Sequence, residues 1–258
     1  MKIMASDDNK PKKVLVAFDF DHTIIDGNSD IHITTLGPNG HIPQEIKDKY
    51  SDNGWTHYMA AIFKYLHGHN IKSQDLKSSI EELPLVEGMD ELFQYLNDET
   101  FEVIIISDSN SVFIDYALEK YGLKTIVKRV YTNPAKYDND DLLGIEFYHT
   151  QDWCDLSTEN LCKGHILEEH IEERKKEVEF SHILYVGDGT NDLCPSLRLS
   201  DRDFVFPRQD FSLWKKLKKL GCLDDATSDL DLKAKVIVWK SGLEVLDICK
   251  RLKRGDIV

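Results

Sequence analysis

The stretch that decides the fold is VLVAFDFDHTIID, residues 14–26. Its first five residues are apolar, which predicts a buried strand over 14–18. That strand runs straight into two carboxylates, Asp19 and Asp21. Strand side chains alternate, so residues two apart leave the strand end on the same side. Two acids at the lip of an apolar strand are costly unless a cation or a proton lies between them. The cost points to chemistry. A carboxylate can attack a phosphoryl centre, a neighbour two residues on can carry the proton, and the pair can hold a divalent metal.

Outward from this point the chain divides by pattern. Residues 1–13 are polar and read as frayed. GPNGHIP (37–43) is a loop by its Gly and Pro content. Trp55, Met59, Ile62, Phe63 and Leu66 fall at helical spacing, and a short helix is expected over 75–83. No strand pattern occurs in this stretch, so it reads as a helical insertion hung on strand one. From Pro84 onward, strands and helices alternate. Strands are expected over 101–106, 126–131, 182–186, 203–206 and 235–239. Helices are expected over 89–96, 112–123, 160–173, 214–220 and 243–253, and residues 144–148 read as half of a surface hairpin. Alternation of this kind predicts an α/β fold with a doubly wound parallel sheet. The expected division is a catalytic core over 1–30 and 85–258 with a small helical cap over 31–84.

In open parallel sheets, ligands bind beyond the carboxyl ends of the strands. Three predicted strands end in polar clusters: DFDHT at 19–23, SDSN at 107–110 and GDGTND at 187–192. Lys163 lies near the start of a helix between the second and the third. Any one of these has a plainer reading. SDSN could cap a helix, GDGTND could be a turn, and Lys163 could be a surface lysine. Together, and in this order, they suit phosphoryl transfer, which needs positioning and charge neutralisation. Asp19 is the expected nucleophile and Asp21 the proton donor and acceptor. Asp19, Asp21 and Asp188 are the candidate metal ligands, and Mg²⁺ is the natural ion for carboxylate and carbonyl oxygens. Ser107 and Lys163 would bind the phosphoryl oxygens. Thr23, Asn191 and Asp192 are supporting residues. Asp30 and Asp108 would also lie near the phosphate, where extra carboxylates make sense only if the leaving group is cationic. The alternative is that each caps a helix.

Composition bounds the rest. The 258 residues suit one large domain or a core with an insertion. A net charge of −14 argues against nucleic-acid binding. No apolar run approaches the roughly 20 residues that span a bilayer, and the N-terminal stretch has no apolar signal core, so a cytoplasmic location is expected. The five cysteines are odd in number and irregularly spaced, so free thiols are expected. His149, Cys154, Cys162 and His165 do not follow a strong zinc spacing.

With these residues assembled, the chain resembles the haloacid dehalogenase superfamily of Mg²⁺-dependent phosphatases. FDFDHT resembles its first motif, IIISDSN its second, Lys163 its third and GDGTND its fourth. Within the superfamily the chain is similar to the phosphoethanolamine/phosphocholine phosphatase family, including its pyridoxal-phosphate phosphatase branch. That likeness rests on FDFDHTIIDGNSD, IIISDSNSVFIDYALE, YTNPA, NLCKG and VGDGTNDLCP. The resemblance implies a helical cap after strand one, a metal contact through the Asp21 backbone carbonyl, and substrate selection at Asp30 and Asp108. It also implies a small phosphorylated metabolite as partner: pyridoxal 5′-phosphate, phosphoethanolamine or phosphocholine. Pyrophosphate and thiamine monophosphate are alternatives on the same core. A receiver-like signalling or phosphate-binding protein is the non-enzyme alternative, but receivers carry the phosphorylated Asp on a later strand. The enzyme is expected as a monomer or homodimer, without nucleic acid or membrane. One departure stands out: YHTQDWCDLSTENLCKG holds fewer His and Cys than the family's segment before the motif-three lysine.

Overall fold

A computed structural model describes residues 10–50, 54–223 and 230–257. The polar leader lies outside the described residues over 1–9, while Lys12 and Lys13 already belong to the first strand. That strand, β1 (Lys12–Phe18), carries the apolar run into the centre of the molecule. Helical elements follow: α1 (Ser29–His32), α2 (Gln44–Lys47), α3 (Trp55–Gly68), α4 (Ser73–Glu82) and α5 (Met89–Leu96). The α/β alternation then runs through β2 (Phe101–Asn110), α6 (Ser111–Lys120) and β3 (Val127–Asn133). A small antiparallel hairpin, β4 (Ala135–Tyr137) and β5 (Leu143–Ile145), precedes α7 (Lys163–Arg174) and β6 (Glu179–Gly187). The chain closes with α8 (Leu193–Ser196), β7 (Phe204–Pro207), α9 (Ser212–Lys219), β8 (Lys235–Val236) and α10 (Gly242–Arg254).

Six strands form one parallel sheet in the order β3-β2-β1-β6-β7-β8. The period of two splits each central strand between two cores. In β1, Val14, Val16 and Phe18 enter one apolar cluster, and Leu15 and Ala17 enter the other. In β2, Val103 and Ile105 face the first while Ile104 and Ile106 face the second. Both faces of the sheet are therefore covered, as parallel sheets require. The expected doubly wound α/β architecture is the one observed.

Boundaries differ from the sequence reading at three informative places. Strand β2 runs on to Asn110, so SDSN extends the strand instead of lying beyond it. Helix α7 starts at Lys163 and not near Asn160, which leaves Asn160 to turn inward. KVIVW is a strand only over its first two residues. Its neighbour β7 ends at Pro207, which has no N–H to give to the ladder; beyond Val236 the pairing is carried by Ile237 N to Val205 O at 2.9 Å and by a bridge between Arg208 and Trp239.

The far end of α7 is fixed by a buried charge network. Glu102 on β2 accepts from Arg174 Nε at 2.8 Å and Nη2 at 2.9 Å, and lies 3.1 Å from His170 Nε2. Tyr131 on β3 meets His170 Nδ1 at 2.8 Å. The network ties α7 to β2 and β3 and so sets where the other end of α7, at Lys163, reaches. Burial pushes the Glu102 carboxyl up, but the bonds from His170 and Arg174 outweigh it and hold the group down at about 2. A carboxyl depressed below its usual 4.5 stabilises the fold above that pH and loses the contribution as pH falls toward 2. Acid unfolding of the wild type should therefore show a loss of about 3 kcal/mol in this window that is absent in Glu102→Gln. Denaturant titrations at a series of pH values check it.

Candidate active site

The strand order places β2, β1 and β6 side by side, and their carboxyl ends bring Ser107, Asp19 and Asp188 to one edge. There they line a cavity of about 310 Å³ with Asp21, Asp30, Asp108 and Asn191, a size that suits a small ligand. Asp19 continues the alternation of Leu15 and Ala17, so it faces the layer that holds α7. From the first turn of α7, Lys163 reaches back beneath it. Its Nζ lies 2.7 Å from Asp19 Oδ2 and 2.7 Å from Asp192 Oδ1, and the side chain is 1% exposed.

Asp192 anchors the loop after β6. Its Oδ1 also accepts from Tyr185 Oη at 2.8 Å, and its Oδ2 accepts from the backbone N–H groups of Asp188 and Gly189 at 3.0 and 2.8 Å. A Cβ on Gly187 would meet Asp192 Oδ2 at 2.4 Å, so this close wrap needs glycine there. Asp19, Asp188 and Asp192 bring carboxylate oxygens within 4.8 Å of one another. Each Asp192 oxygen already accepts two hydrogen bonds, whereas Asp19 accepts one on each, from Phe20 N and from Lys163, both at 2.7 Å, so Asp19 and Asp188 are the pair with the greater capacity for a cation. Asp188 Oδ1 meets only a long contact from Thr23 Oγ1, at 3.5 Å.

The carboxylate of Asp21 turns aside. It accepts from Ser29 N at 2.7 Å and Ser29 Oγ at 3.2 Å, and its oxygens are not in the cation-holding group. The sequence reading that counted Asp21 among the metal ligands is therefore left with its backbone carbonyl. Ser107 lies buried at the cavity wall, where its Oγ accepts from Ser109 N at 3.1 Å.

Neither Asp30 nor Asp108 caps a helix. Asn28 caps α1 and Asn110 caps α6. Asp108 is instead gripped by two amides, Asn160 Nδ2 at 3.2 Å and Asn191 Nδ2 at 2.6 Å. Asn133 positions that grip: its Nδ2 donates to the Asp108 carbonyl at 2.7 Å, and its Oδ1 accepts from Asn160 at 3.1 Å. Asp30 is 3% exposed and accepts from Trp55 Nε1 at 2.7 Å. Its other oxygen is buried with no hydrogen-bond partner among the described residues. Trp55 packs with Tyr50 and Tyr58, with ring centroids 5.5 to 5.6 Å apart.

All ten predicted site residues thus gather in or directly behind one cavity. Asn133, Asn160, Trp55 and Tyr50 were not among them. Asn133 and Asn160 lie inside the quoted strings YTNPA and NLCKG, which was the available signal. Trp55 looked like one more apolar position on a helix, and nothing local marks its indole N–H as a partner for Asp30.

Electrostatically the site holds more negative charge than it can neutralise. Burial, reinforced by the charges of Asp19 and Asp192, pushes Asp188 up to about 8. Burial also pushes Asp19 up to about 7, against the pull of Lys163. Asp21 is driven well above the usual carboxylate range by burial and then by Asp30. Asp30 is raised to about 7 by burial, against the Trp55 hydrogen bond. Burial alone would lower Lys163, but Asp19 and Asp192 hold it above its ordinary value, so it stays charged.

Two likenesses converge on one class of protein. A solved phosphoserine phosphatase, titled as a phospho-aspartyl intermediate analogue, superposes with a TM-score of 0.58 at 18% identity, covering 94% of this chain and 99% of that one. A haloacid dehalogenase-like hydrolase from Streptococcus pneumoniae superposes with a TM-score of 0.50 at 12% identity, covering 92% and 98%. The fold is that of the haloacid dehalogenase-like α/β hydrolases. The chain belongs to the phosphatase family described as "Putative Phosphatase", whose match runs over residues 14–252, and it is a phosphatase. It is 39% identical to pyridoxal phosphate phosphatase PHOSPHO2 of Mus musculus, over 91% of this chain and 96% of that one. It is 35% identical to the phosphoethanolamine/phosphocholine phosphatase of Gallus gallus, over 92% and 88%. Among the described residues no helix is long and apolar enough to cross a membrane.

Asp192→Ala should be strongly destabilising. It removes one of the two carboxylates that hold the buried Lys163 ammonium, and it leaves two backbone N–H groups and the Tyr185 hydroxyl without their acceptor. A loss of about 3–5 kcal/mol is expected in chemical denaturation.

Proposed function

We propose that the protein is an Mg²⁺-dependent hydrolase of small phosphomonoesters that carry a cationic group, acting through an aspartyl-phosphate on Asp19. The observation that carries this reading is the buried Lys163 held against Asp19 at 2.7 Å, at the carboxyl end of the central strand. A fixed ammonium behind a nucleophilic carboxylate aims it and favours its ionised form against the opposing effect of burial. In the first half-reaction an Asp19 oxygen attacks phosphorus. The bond to the leaving oxygen breaks, and Asp21 gives that oxygen its proton. In the second, water attacks the same phosphorus while Asp21 takes its proton. The bond to Asp19 breaks and phosphate leaves. Lys163 offsets negative charge near the reacting carboxylate, and Ser107 donates to a phosphoryl oxygen. Asp19, Asp188 and the Asp21 carbonyl would hold Mg²⁺, which supplies charge neutralisation for the phosphoryl oxygens. The raised Asp19 and Asp188 support a site made for a cation.

Substrate choice falls to Asp30, Asp108 and the aromatic wall of Trp55 and Tyr50. An unpartnered buried carboxylate oxygen beside aromatic rings suits a positively charged nitrogen. Pyridoxal 5′-phosphate, phosphoethanolamine and phosphocholine all offer a nitrogen, and the relatives' names support this set. Pyrophosphate offers none. Residues 31–84 act as the cap over the core formed by 1–30 and 85–258. In this reading the enzyme works in the cytoplasm, as a monomer or homodimer, without nucleic acid or membrane.

A panel of phosphorylated metabolites assayed with Mg²⁺ and with chelator tests the reading. Asp19→Asn should lose at least about 10³-fold in kcat on every ester; retained turnover rejects Asp19 as nucleophile. Asp30→Asn should raise KM about tenfold for amine-bearing esters and leave a neutral ester unchanged. Mg²⁺ binding near pH 7 should release a proton, because without a cation Asp19 and Asp188 sit at about 7 and 8. The apparent affinity should rise with pH up to about 8 and then level. Calorimetry in two buffers of different ionisation enthalpy measures the released proton.

A further inference from the structure

Near the start of α7, outside the lining of the cavity, three thiols come together. Cys154 Sγ lies 3.4 Å from Cys194 Sγ, and Cys162 Sγ lies 3.7 Å from Cys194 Sγ. All three sulfurs fall within 4.8 Å of one another. No disulfide is formed among the described cysteines. The three come from different parts of the chain: the loop before α7, the residue that precedes Lys163, and α8 just after Asp192. Spacing along the chain could not show this, since Cys194 belongs to the GDGTNDLCP string. His149 and His165, whose spacing with the cysteines is no strong zinc pattern, are not in the group. His149 Nε2 accepts from Cys162 N at 2.9 Å, and His165 pairs with Glu169.

We propose that Cys154, Cys162 and Cys194 form a three-thiolate site for a zinc ion, separate from the Mg²⁺ position. A Zn–S bond of about 2.3 Å in tetrahedral geometry requires sulfurs about 3.8 Å apart; the two edges at Cys194 are 3.4 and 3.7 Å, and the third is within 4.8 Å. Soft sulfur donors select zinc over the Mg²⁺ that oxygen donors favour. The local structure is built to hold the sulfurs in place. The buried Gln151 side chain closes the Cys154 loop: its Nε2 donates to the carbonyls of Cys154, Ser157 and Thr158 at 3.3, 3.2 and 2.9 Å, and its Oε1 accepts from Cys154 N at 2.9 Å. A Cβ on Gly164 would meet Cys194 Sγ at 2.6 Å, so a glycine there lets α8 approach α7 closely.

Access and charge also fit. Cys162 and Cys194 are buried, whereas Cys154 is half-buried and opens on a surface cavity. Asp152, Asp155 and Glu159 line that cavity and would draw in a cation. Ser157 Oγ, 3.5 Å from Cys154 Sγ, stands at the same mouth, leaving the fourth position to this hydroxyl or to water. Zinc here would staple the Cys154 loop, the start of α7 and the start of α8. Its role is to position Lys163 and Asp192, not to touch substrate.

The test is metal content of the full chain, purified with Mg²⁺ in excess and without added thiol chelators. About one zinc per chain is expected in the wild type. Cobalt substitution should give thiolate-to-metal charge-transfer absorption. Cys154→Ser, at the half-buried corner, should lose the zinc and the cobalt bands while keeping the wild-type circular dichroism. Cys222→Ser, outside the cluster, should keep both. Asp188→Asn should also keep the zinc, which separates this site from the phosphatase reading. A wild type that binds zinc no more tightly than Cys154→Ser overturns the proposal. So does a chain that carries a Cys154–Cys194 disulfide, seen by intact mass, in place of metal.

Discussion

The structure is organised around one buried cation. The Lys163 ammonium sits between Asp19 and Asp192, 2.7 Å from each, and almost none of it reaches water. An ammonium withdrawn this far from water is costly to bury, and its partners must hold it closely. Asp19 can do so only because β1 ends there, and Asp192 only because the loop after β6 folds back on itself. The lysine in turn can reach both only because α7 begins at residue 163. The Glu102 network at the other end of that helix, and the sulfur cluster beside its start, both bear on the same alignment.

Charge balance explains why the cavity invites cations from two directions. One ammonium faces Asp19, Asp188 and Asp192. Beyond them stand Asp21, Asp30 and Asp108 around the same space. Asp192 accepts four hydrogen bonds, Asp19 one on each oxygen and Asp188 a long one from Thr23, and burial leaves Asp19 and Asp188 reluctant to ionise. On the outer side, Asp30 keeps one oxygen without a partner. A divalent ion at the inner pair and a positive nitrogen at the outer acid relieve the two deficits separately. In the proposed reaction this division would separate chemistry, at the strand ends, from specificity, at the wall that Asp30 and Trp55 form.

Much of the fold was legible because its signals are local. Apolar runs of strand length, helical spacing and the order of the polar clusters gave the alternation and the edge where the site lies. The failures are also physical. The apolar pattern ends β2 at Ile106, with SDSN a polar cluster beyond it that could cap a helix; pairing with β3 carries the strand through to Asn110, which also caps α6. The last strand was overestimated because apolar residues 237–239 face a neighbour that stops at a proline.

The sequence by itself determined the motif order, the acids at the strand ends and the class of chemistry, since these depend on residue type and on the two-residue period of a strand. Only the tertiary structure decided which acids are free to bind and which are engaged. Asp192 is consumed by Lys163, Tyr185 and two backbone donors. Asp21 turns its carboxylate to Ser29, and Asp30 turns one oxygen to Trp55. It also decided that Cys194 joins Cys154 and Cys162 while His149 and His165 do not. Those of Asp192 with Lys163, Asp30 with Trp55 and Cys194 with Cys154 link residues tens of positions apart, and no local pattern encodes a contact that exists only after the chain has packed.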